Sequence, residues 1–200
     1  ELTRSALRAV LSGWRREELF AAWKTGLFPA KEEEIDRLET EALARGWSGL
    51  IWEKEILIKN DEALTEWVEK LRQKIVLPFL RLESALGIRK ESEDGKKSRA
   101  RLSGPELAKA IRGFWRDLVV EERLEAAGDA FEPQSGTNRP NPIHATVWEQ
   151  MNRWLENVVL AFAGEGLSLR EWVPILEAGL AGLTIGLIPP GLDQVLIGSI

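Results

Sequence analysis

The chain has no cysteine and a single histidine, and these scarcities exclude several kinds of site within its 200 residues. Without cysteine there can be no disulfide, no thiolate zinc site and no iron–sulfur ligand. One imidazole, that of His144, cannot build a histidine-rich metal centre, and we expect it to be a surface side chain in the first turn of a helix. We therefore expect no metal-binding and no cofactor-binding residues in this chain.

Long apolar runs are also missing. The longest candidate, residues 176–192, is interrupted by Glu177, by several glycines and by two prolines. A membrane-spanning helix needs about 18 consecutive apolar residues, so we predict no membrane segment. The first residues do not resemble a signal peptide. These features together favour a cytoplasmic protein.

Excess positive charge is absent as well, because the formal net charge is −5 and the isoelectric point is near 5.2. This balance argues against nucleic-acid binding by overall electrostatic attraction, so any DNA contact has to be local. A basic cluster within residues 89–101 is diluted by three acidic residues, and a solvated loop is the favoured interpretation over a phosphate contact. Tyrosine is absent, but nine tryptophans and six phenylalanines are present. We interpret them as core-filling side chains rather than as a surface for stacking bases.

Apolar residues recur at helical spacing through most of the chain and predict an all-α (mainly α) domain of seven or eight helices. Capping boxes at Ser103 and Ser168 mark two helix starts, and Gly46 is well placed to end a third helix. Pro78 should kink or interrupt a long helix near Val76. Residues 47–58 are compatible either with a loop holding two buried tryptophans or with a short strand. The predicted helices cover about residues 5–11, 16–25, 31–45, 61–86, 103–127, 141–163 and 168–183.

The last thirteen residues have the alternation and β-branching of a strand that follows two prolines. A strand without a partner leaves backbone groups unpaired, so we expect the chain to be part of a longer polypeptide. We divide it into a helical body, residues 1–187, with a mobile loop at about 89–102. Residues 188–200 form a connector and a strand that returns to a missing core.

Catalytic motifs are weak in this sequence. A phosphate-gripping loop needs glycines followed by a lysine and a serine or threonine, and no such pattern occurs. The only acidic-x-lysine triplet typical of metal-dependent nucleases is Asp94-Gly95-Lys96, which lies in the polar loop without an apolar strand. The acidic run that begins at Glu32 alternates with lysine and arginine, which favours a solvated, self-paired helix face. We expect the chain itself to have no catalytic residues.

Four stretches point to a known family. Residues 24–29 read KTGLFP, residues 35–39 read IDRLE with LARG at 43–46, a helix surrounds Trp148, and residues 188–198 read IPPGLDQVLIG. Together they resemble the B subunit of the bacterial ATP-dependent helicase–deoxyribonucleases, the AddB or RexB type. The last stretch is similar to that family's I-P-P-x-x-D-Q-V-x-V-G strand and is the most specific of the four. The tyrosine that is common after the family's D-x-L-E segment is absent here.

The resemblance implies a helical insertion similar to the 2B subdomain of UvrD-type helicases. The complete B subunit would have a helicase-like fold, usually without a working ATPase, and a C-terminal nuclease domain with a 4Fe–4S cluster. With the helicase–nuclease A subunit of the same complex it would process DNA double-strand breaks, using ATP and Mg²⁺ in the complex. None of the nuclease residues or cluster cysteines matches this chain.

On this resemblance we predict a non-catalytic helical segment that positions DNA or the partner subunit. Lys24 and Thr25 are candidate DNA contacts because the resemblance puts them at the end of the family-like segment near the helicase-like core, and Gln194 is a weaker candidate. The alternative is a protein–protein interaction domain, whose acidic helices and exposed tryptophans dock a partner without any DNA contact.

Overall fold

A computed structural model of the chain describes residues 1–88, 101–130, 142–164 and 166–183. These residues form eight α-helices, one 3₁₀ turn and two strands of two residues each, which confirms the predicted mainly α class. The predicted terminal strand and nearly all of the predicted loop at 89–102 lie outside the described residues. The elements are α1 (Leu2–Leu11), α2 (Arg16–Trp23), α3 (Glu32–Arg45), the 3₁₀ turn (Gly49–Glu53), α4 (Glu62–Ala85), β1 (Arg101–Leu102), α5 (Gly104–Asp117), α6 (Val120–Ala130), α7 (Pro142–Ala161), β2 (Leu167–Ser168) and α8 (Leu169–Ala181).

Local sequence signals determine where several helices begin and end. The backbone N–H of Ser103 donates to the Glu106 carboxylate at 2.8 Å, which confirms the first predicted capping box. The box at Ser168 is confirmed in the same way. Helix α3 ends at Gly46, whose φ of 68° lies in the left-handed region that glycine adopts without a steric penalty.

The region predicted as one helix from Ser103 to about Ala127 is divided into α5 and α6. The break lies at Val119, which has a positive φ of 46°. This conformation is unfavourable for a β-branched residue. Its neighbours Leu118 and Val120 are both buried, and this burial offsets the strain at Val119.

The sequence predicts either a kink or an interruption of this helix near Val76. Helix α4 continues through Pro78, so the interruption does not occur. Proline removes one helical hydrogen bond, but Val76, Pro78 and Phe79 are all buried against the core. Packing therefore maintains the helix across this position.

The ambiguous segment 47–58 is a loop with one 3₁₀ turn, and it contains no strand. Trp47 and Trp52 are both buried in it, as one of the two sequence interpretations required. The helical spacing of the apolar residues in α3 predicts a buried stripe of Ile35, Leu38, Ala42 and Leu43, and one of these four is wrong. Ile35, Leu38 and Ala42 are buried, whereas Leu43 is 56% exposed because it lies at the edge of the stripe.

Aromatic side chains fill the centre of the molecule. The ring of Trp23 on α2 meets Trp52 edge to face with a centroid distance of 5.2 Å. Phe79 on α4 stacks on Phe28 at 5.7 Å and meets Phe114 on α5 at 5.5 Å. Seven of the nine tryptophans are buried and the other two are half-buried, which confirms the core-filling interpretation.

Around this core, α1 packs against α2, α4 and α8, and α5 packs against α4, α6 and α7. The antiparallel strands β1 and β2 pair Arg101 with Ser168 and Leu102 with Leu167. The Trp172 indole N–H on α8 donates to the carbonyl of Leu102 at 2.9 Å. Strands this short have no alternation to detect, so sequence patterns did not predict them. Within the described ranges, none of the helices has the length and apolarity that crossing a bilayer requires.

Candidate functional site

The corner between α2 and α3 holds the two best-placed candidate DNA contacts. Lys24 follows the last residue of α2, and its Nζ lies 2.9 Å from Asp36 Oδ1 and 2.5 Å from Glu39 Oε2 on α3. The hydrogen bond to Glu39, followed by that to Asp36, raises the pKa of Lys24. This lysine therefore links two helices within the chain, and a DNA phosphate would have to compete with two carboxylates for it.

Thr25 and Gln194 do not form a common site with Lys24 in the described structure. The Thr25 hydroxyl donates to the Ala22 carbonyl at 2.7 Å, which is a local helix-end bond. Gln194 lies outside the described residues. The assignment of all three as DNA contacts remains a prediction.

The exposed face of α3 has charges that are paired within the chain. Arg45 forms an ion pair with Glu41, one turn earlier on the same helix. The Arg37 guanidinium lies over the Trp67 ring of α4, 4.2 Å from its centroid. These contacts agree with the predicted solvated, self-paired face.

A buried ion pair on α4 bonds to the backbone of loop 47–58. Two of the guanidinium nitrogens of Arg72, Nε and Nη2, donate to the Glu69 carboxylate at 2.7 and 2.8 Å. The Ile56 N–H also donates to Glu69, and Arg72 Nη1 donates to the Trp52 carbonyl at 2.9 Å. Burial alone would raise the pKa of Glu69, but the bonds from Arg72 and Ile56 lower it overall. The carboxylate is thus held in its charged form as a structural group.

Among the described residues, one surface cavity of about 700 Å³ lies between loop 47–58 and α4, and Leu57 at its edge is 75% exposed. We call it the acidic groove because four glutamates line it. They are Glu55, Glu62, Glu66 and Glu69.

The second cavity, of about 710 Å³, lies between the C-terminal half of α4 and α5. Four cationic side chains and two carboxylates line it, and we call it the cationic cleft. The cations are Arg81, Arg101, Lys109 and Arg116, and the carboxylates are Glu106 and Asp117. Sequence reasoning missed this cleft, although the spacing of Lys109, Arg112 and Arg116 on one helix face was a visible signal.

Glu83 on α4 is a buried carboxyl side chain. Burial raises its pKa, and an interaction with the Trp14 indole opposes this rise. Within the ranges that the structure describes, no group of three histidine or acidic side chains converges as a metal site would require. The Asp94-Gly95-Lys96 triplet lies outside those ranges.

Three curated relatives align with the whole of this chain, and each is named as the B subunit of an ATP-dependent helicase/deoxyribonuclease. The protein from Moorella thermoacetica is 32% identical over 212 residues, which cover 100% of this chain and 17% of the relative. The resemblance to the B subunit is confirmed. The B subunit of Desulforamulus reducens is 31% identical over 209 residues, and that of Pelotomaculum thermopropionicum is 32% identical over 216 residues. Each of these two alignments covers 100% of this chain and 18% of the relative.

No family model matches the chain. The chain spans 16–18% of the length of the curated B-subunit proteins that it matches. What the structure describes therefore corresponds to one segment of a B-subunit type protein.

Proposed function

We propose that this chain is a non-catalytic helical segment of a DNA-break-processing helicase–exonuclease subunit, where it positions DNA or the partner subunit. The observation that carries the proposal is the similarity of the entire chain to one segment of proteins named as helicase/deoxyribonuclease B subunits. That name describes one subunit of an enzyme that acts on DNA.

The packing of the described residues supports a structural role. One continuous cluster of buried side chains extends from Leu2 on α1 to Leu176 on α8. The ion pairs of Lys24 join the end of α2 to α3, and the hydrogen bonds of Glu69 and Arg72 to the backbone of loop 47–58 join that loop to α4. A continuous packed core of this kind resists internal deformation, and this is what a positioning element requires.

The remaining features of the complete protein belong to the same proposal. By the resemblance, the parent B subunit acts with the A subunit and DNA, with ATP and Mg²⁺ used in the complex and a 4Fe–4S cluster in its nuclease domain. A cytoplasmic location, and residues 1–187 as a 2B-like subdomain followed by a returning connector, also remain predictions. The residues of this chain would contribute shape and contacts to that complex.

The second candidate is a protein-docking domain without DNA contact. The net acidic charge of the sequence favours it. The exposed tryptophans that this alternative also assumes are not found, since no tryptophan in the described residues is exposed. The acidic groove, with Leu57 largely exposed at its edge, is the observation that now favours it. A basic partner segment with one apolar side chain would complement this surface.

The test is made in the parent B subunit, assembled with the A subunit. Phe79 lies at the centre of the aromatic core, so Phe79→Ala should destabilise this body by about 3–5 kcal/mol. A second variant replaces the whole segment with a flexible glycine–serine linker. We expect both variants to process long duplex DNA poorly while the complex still hydrolyses ATP and cleaves short single strands.

Co-purification of both subunits controls for assembly, and Leu43→Ala, at an exposed position of α3, controls for a harmless apolar substitution. Loss of cleavage of short single strands in an assembled complex would show that the segment participates in the chemistry. Unchanged processing of long duplexes would show that it has no positioning role.

A further inference from the structure

The charges around the cationic cleft are unevenly paired. Arg81 lies 3.3 Å from Asp117, and the Arg101 guanidinium donates to the Gly166 carbonyl at 2.7 Å. Lys109 and Arg116 are exposed, and within the described residues neither forms an ion pair. Within the described part of the chain, two cations at this cleft therefore have no carboxylate paired with them.

These two cations are spaced regularly along α5. They are seven residues apart, which is two helical turns, so both side chains project from the same face. Their backbone positions are about 10.5 Å apart along the helix axis. Phosphates a few nucleotides apart on one strand of nucleic acid have a separation of this order.

Gly113 lies between these cations in the middle of α5 and also lines the cleft. Glycine inside a helix is less favourable than alanine by about 1 kcal/mol. Packing does not require it here, because a Cβ at this position would meet nothing closer than Arg116 Nη2, at 4.0 Å. The missing side chain keeps the space between the two cations open.

The floor of the cleft is apolar, since Leu82, Leu102 and Phe114 line it below the charged rim. A volume of about 710 Å³ is in the range of small-molecule pockets, which is closer to the size of individual nucleotides than to the body of a duplex. Cations that follow a backbone beside an apolar surface are the usual features of single-strand binding sites.

We propose that the cationic cleft binds the phosphate backbone of single-stranded DNA, with Lys109 and Arg116 as the phosphate contacts. This inference rests on the proposed function, because the names of the similar proteins identify DNA as their substrate. It relocates the DNA contact from the α2–α3 corner, where Lys24 is already paired, to the surface between α4 and α5.

The test measures binding of a fluorescein-labelled dT20 oligonucleotide to the 200-residue chain by anisotropy over a range of salt concentrations. The double variant Lys109→Ala/Arg116→Ala should bind much more weakly. The slope of log affinity against log salt concentration should fall by about 1.4, which corresponds to two lost phosphate contacts on a single strand. The matched control is Lys70→Ala/Lys74→Ala on α4, which removes the same net charge from exposed positions away from the cleft.

A second variant tests the shape of the cleft without changing its charge. Gly113→Leu fills the space between the cations and should weaken dT20 binding, while Gly113→Ala should weaken it less. Leucine is a good helix former, so we expect α5 to remain helical. The thermal unfolding of the variant chain checks that the fold is retained.

Equal binding losses in the cleft variant and the Lys70/Lys74 control would overturn the proposal, as would no binding of dT20 by the unmodified chain at low salt. Equal competition by polyglutamate would assign the cleft to acidic peptides instead. Loss of binding on Lys24→Ala alone would place the contact at the α2–α3 corner. That last result would leave the proposed function intact. The proposed function is refuted only by the experiment on the assembled complex of the A and B subunits.

Discussion

At the scale of single residues, side-chain type predicts burial well but does not predict partners. The large aromatic side chains are predicted to lie in the core, and most of them are buried there. No other location removes so much apolar surface from water. The ion pairs of Lys24 with Asp36 and Glu39 could not be predicted, since they depend on how α2 and α3 turn toward each other. A charged residue in a family-like motif is for this reason a weak guide to a ligand contact.

Glu83 provides a prediction at this scale. Burial raises the pKa of its carboxyl group above the unfolded value of about 4.3. Its contribution to stability is therefore complete below that value and is lost as the pH rises through the folded pKa. The difference in unfolding free energy between Glu83→Gln and the unmodified chain should grow in favour of the variant from about pH 4 to about pH 8.

Urea unfolding at a series of pH values measures this difference. Glu66→Gln, on the exposed side of the same helix, controls for the loss of one carboxylate. A difference for Glu83→Gln that stays constant with pH would show that its carboxyl group is not held neutral by burial.

At the scale of elements, local motifs predicted where helices begin, and tertiary packing decided where they break. The capping boxes at Ser103 and Ser168 are visible in four residues of sequence and form as expected. No glycine or proline marks the break between α5 and α6 in the sequence. The break depends instead on the burial of Leu118 and Val120, which local sequence does not show. The β1–β2 pair is held by Trp172 of α8, the helix that follows β2 directly, and its bond reaches Leu102 of β1, 70 positions earlier, which no local pattern reveals.

The contact between α5 and α7 gives a prediction at this scale. A Cβ on Gly104, the first residue of α5, would lie 2.6 Å from the Val158 carbonyl oxygen of α7. Backbone cannot move as freely as a flexible side chain, so the helices would have to separate. Gly104→Ala should destabilise the fold by about 1–3 kcal/mol in denaturant unfolding.

Gly113→Ala on the same helix is the matched control. Its new methyl group meets nothing closer than 4.0 Å, and it should stabilise the chain by up to about 1 kcal/mol. Equal effects of the two substitutions would mean that α5 and α7 do not approach as closely as described.

At the scale of the whole molecule, fold class and family could be predicted from the sequence, while the location of the working surface could not. Helical periodicity predicts the fold class, and a few spaced motifs predict the family. The cationic cleft requires Arg81 on α4, Arg101 on β1 and Lys109 on α5 to meet, and only the packing of α4 against α5 brings them together. A chain with an overall negative charge can thus present a local cationic surface that its composition conceals.

The central claim is that this segment positions DNA or the partner subunit without taking part in the chemistry. The most direct measurement is an electron cryo-microscopy structure of the parent B subunit assembled with the A subunit on a forked DNA, with an ATP analogue and Mg²⁺ present. We expect α1–α8 to form one body in contact with the DNA or with the A subunit. A nucleotide or metal ion bound among the side chains of this segment, or a body remote from both DNA and partner, would contradict it.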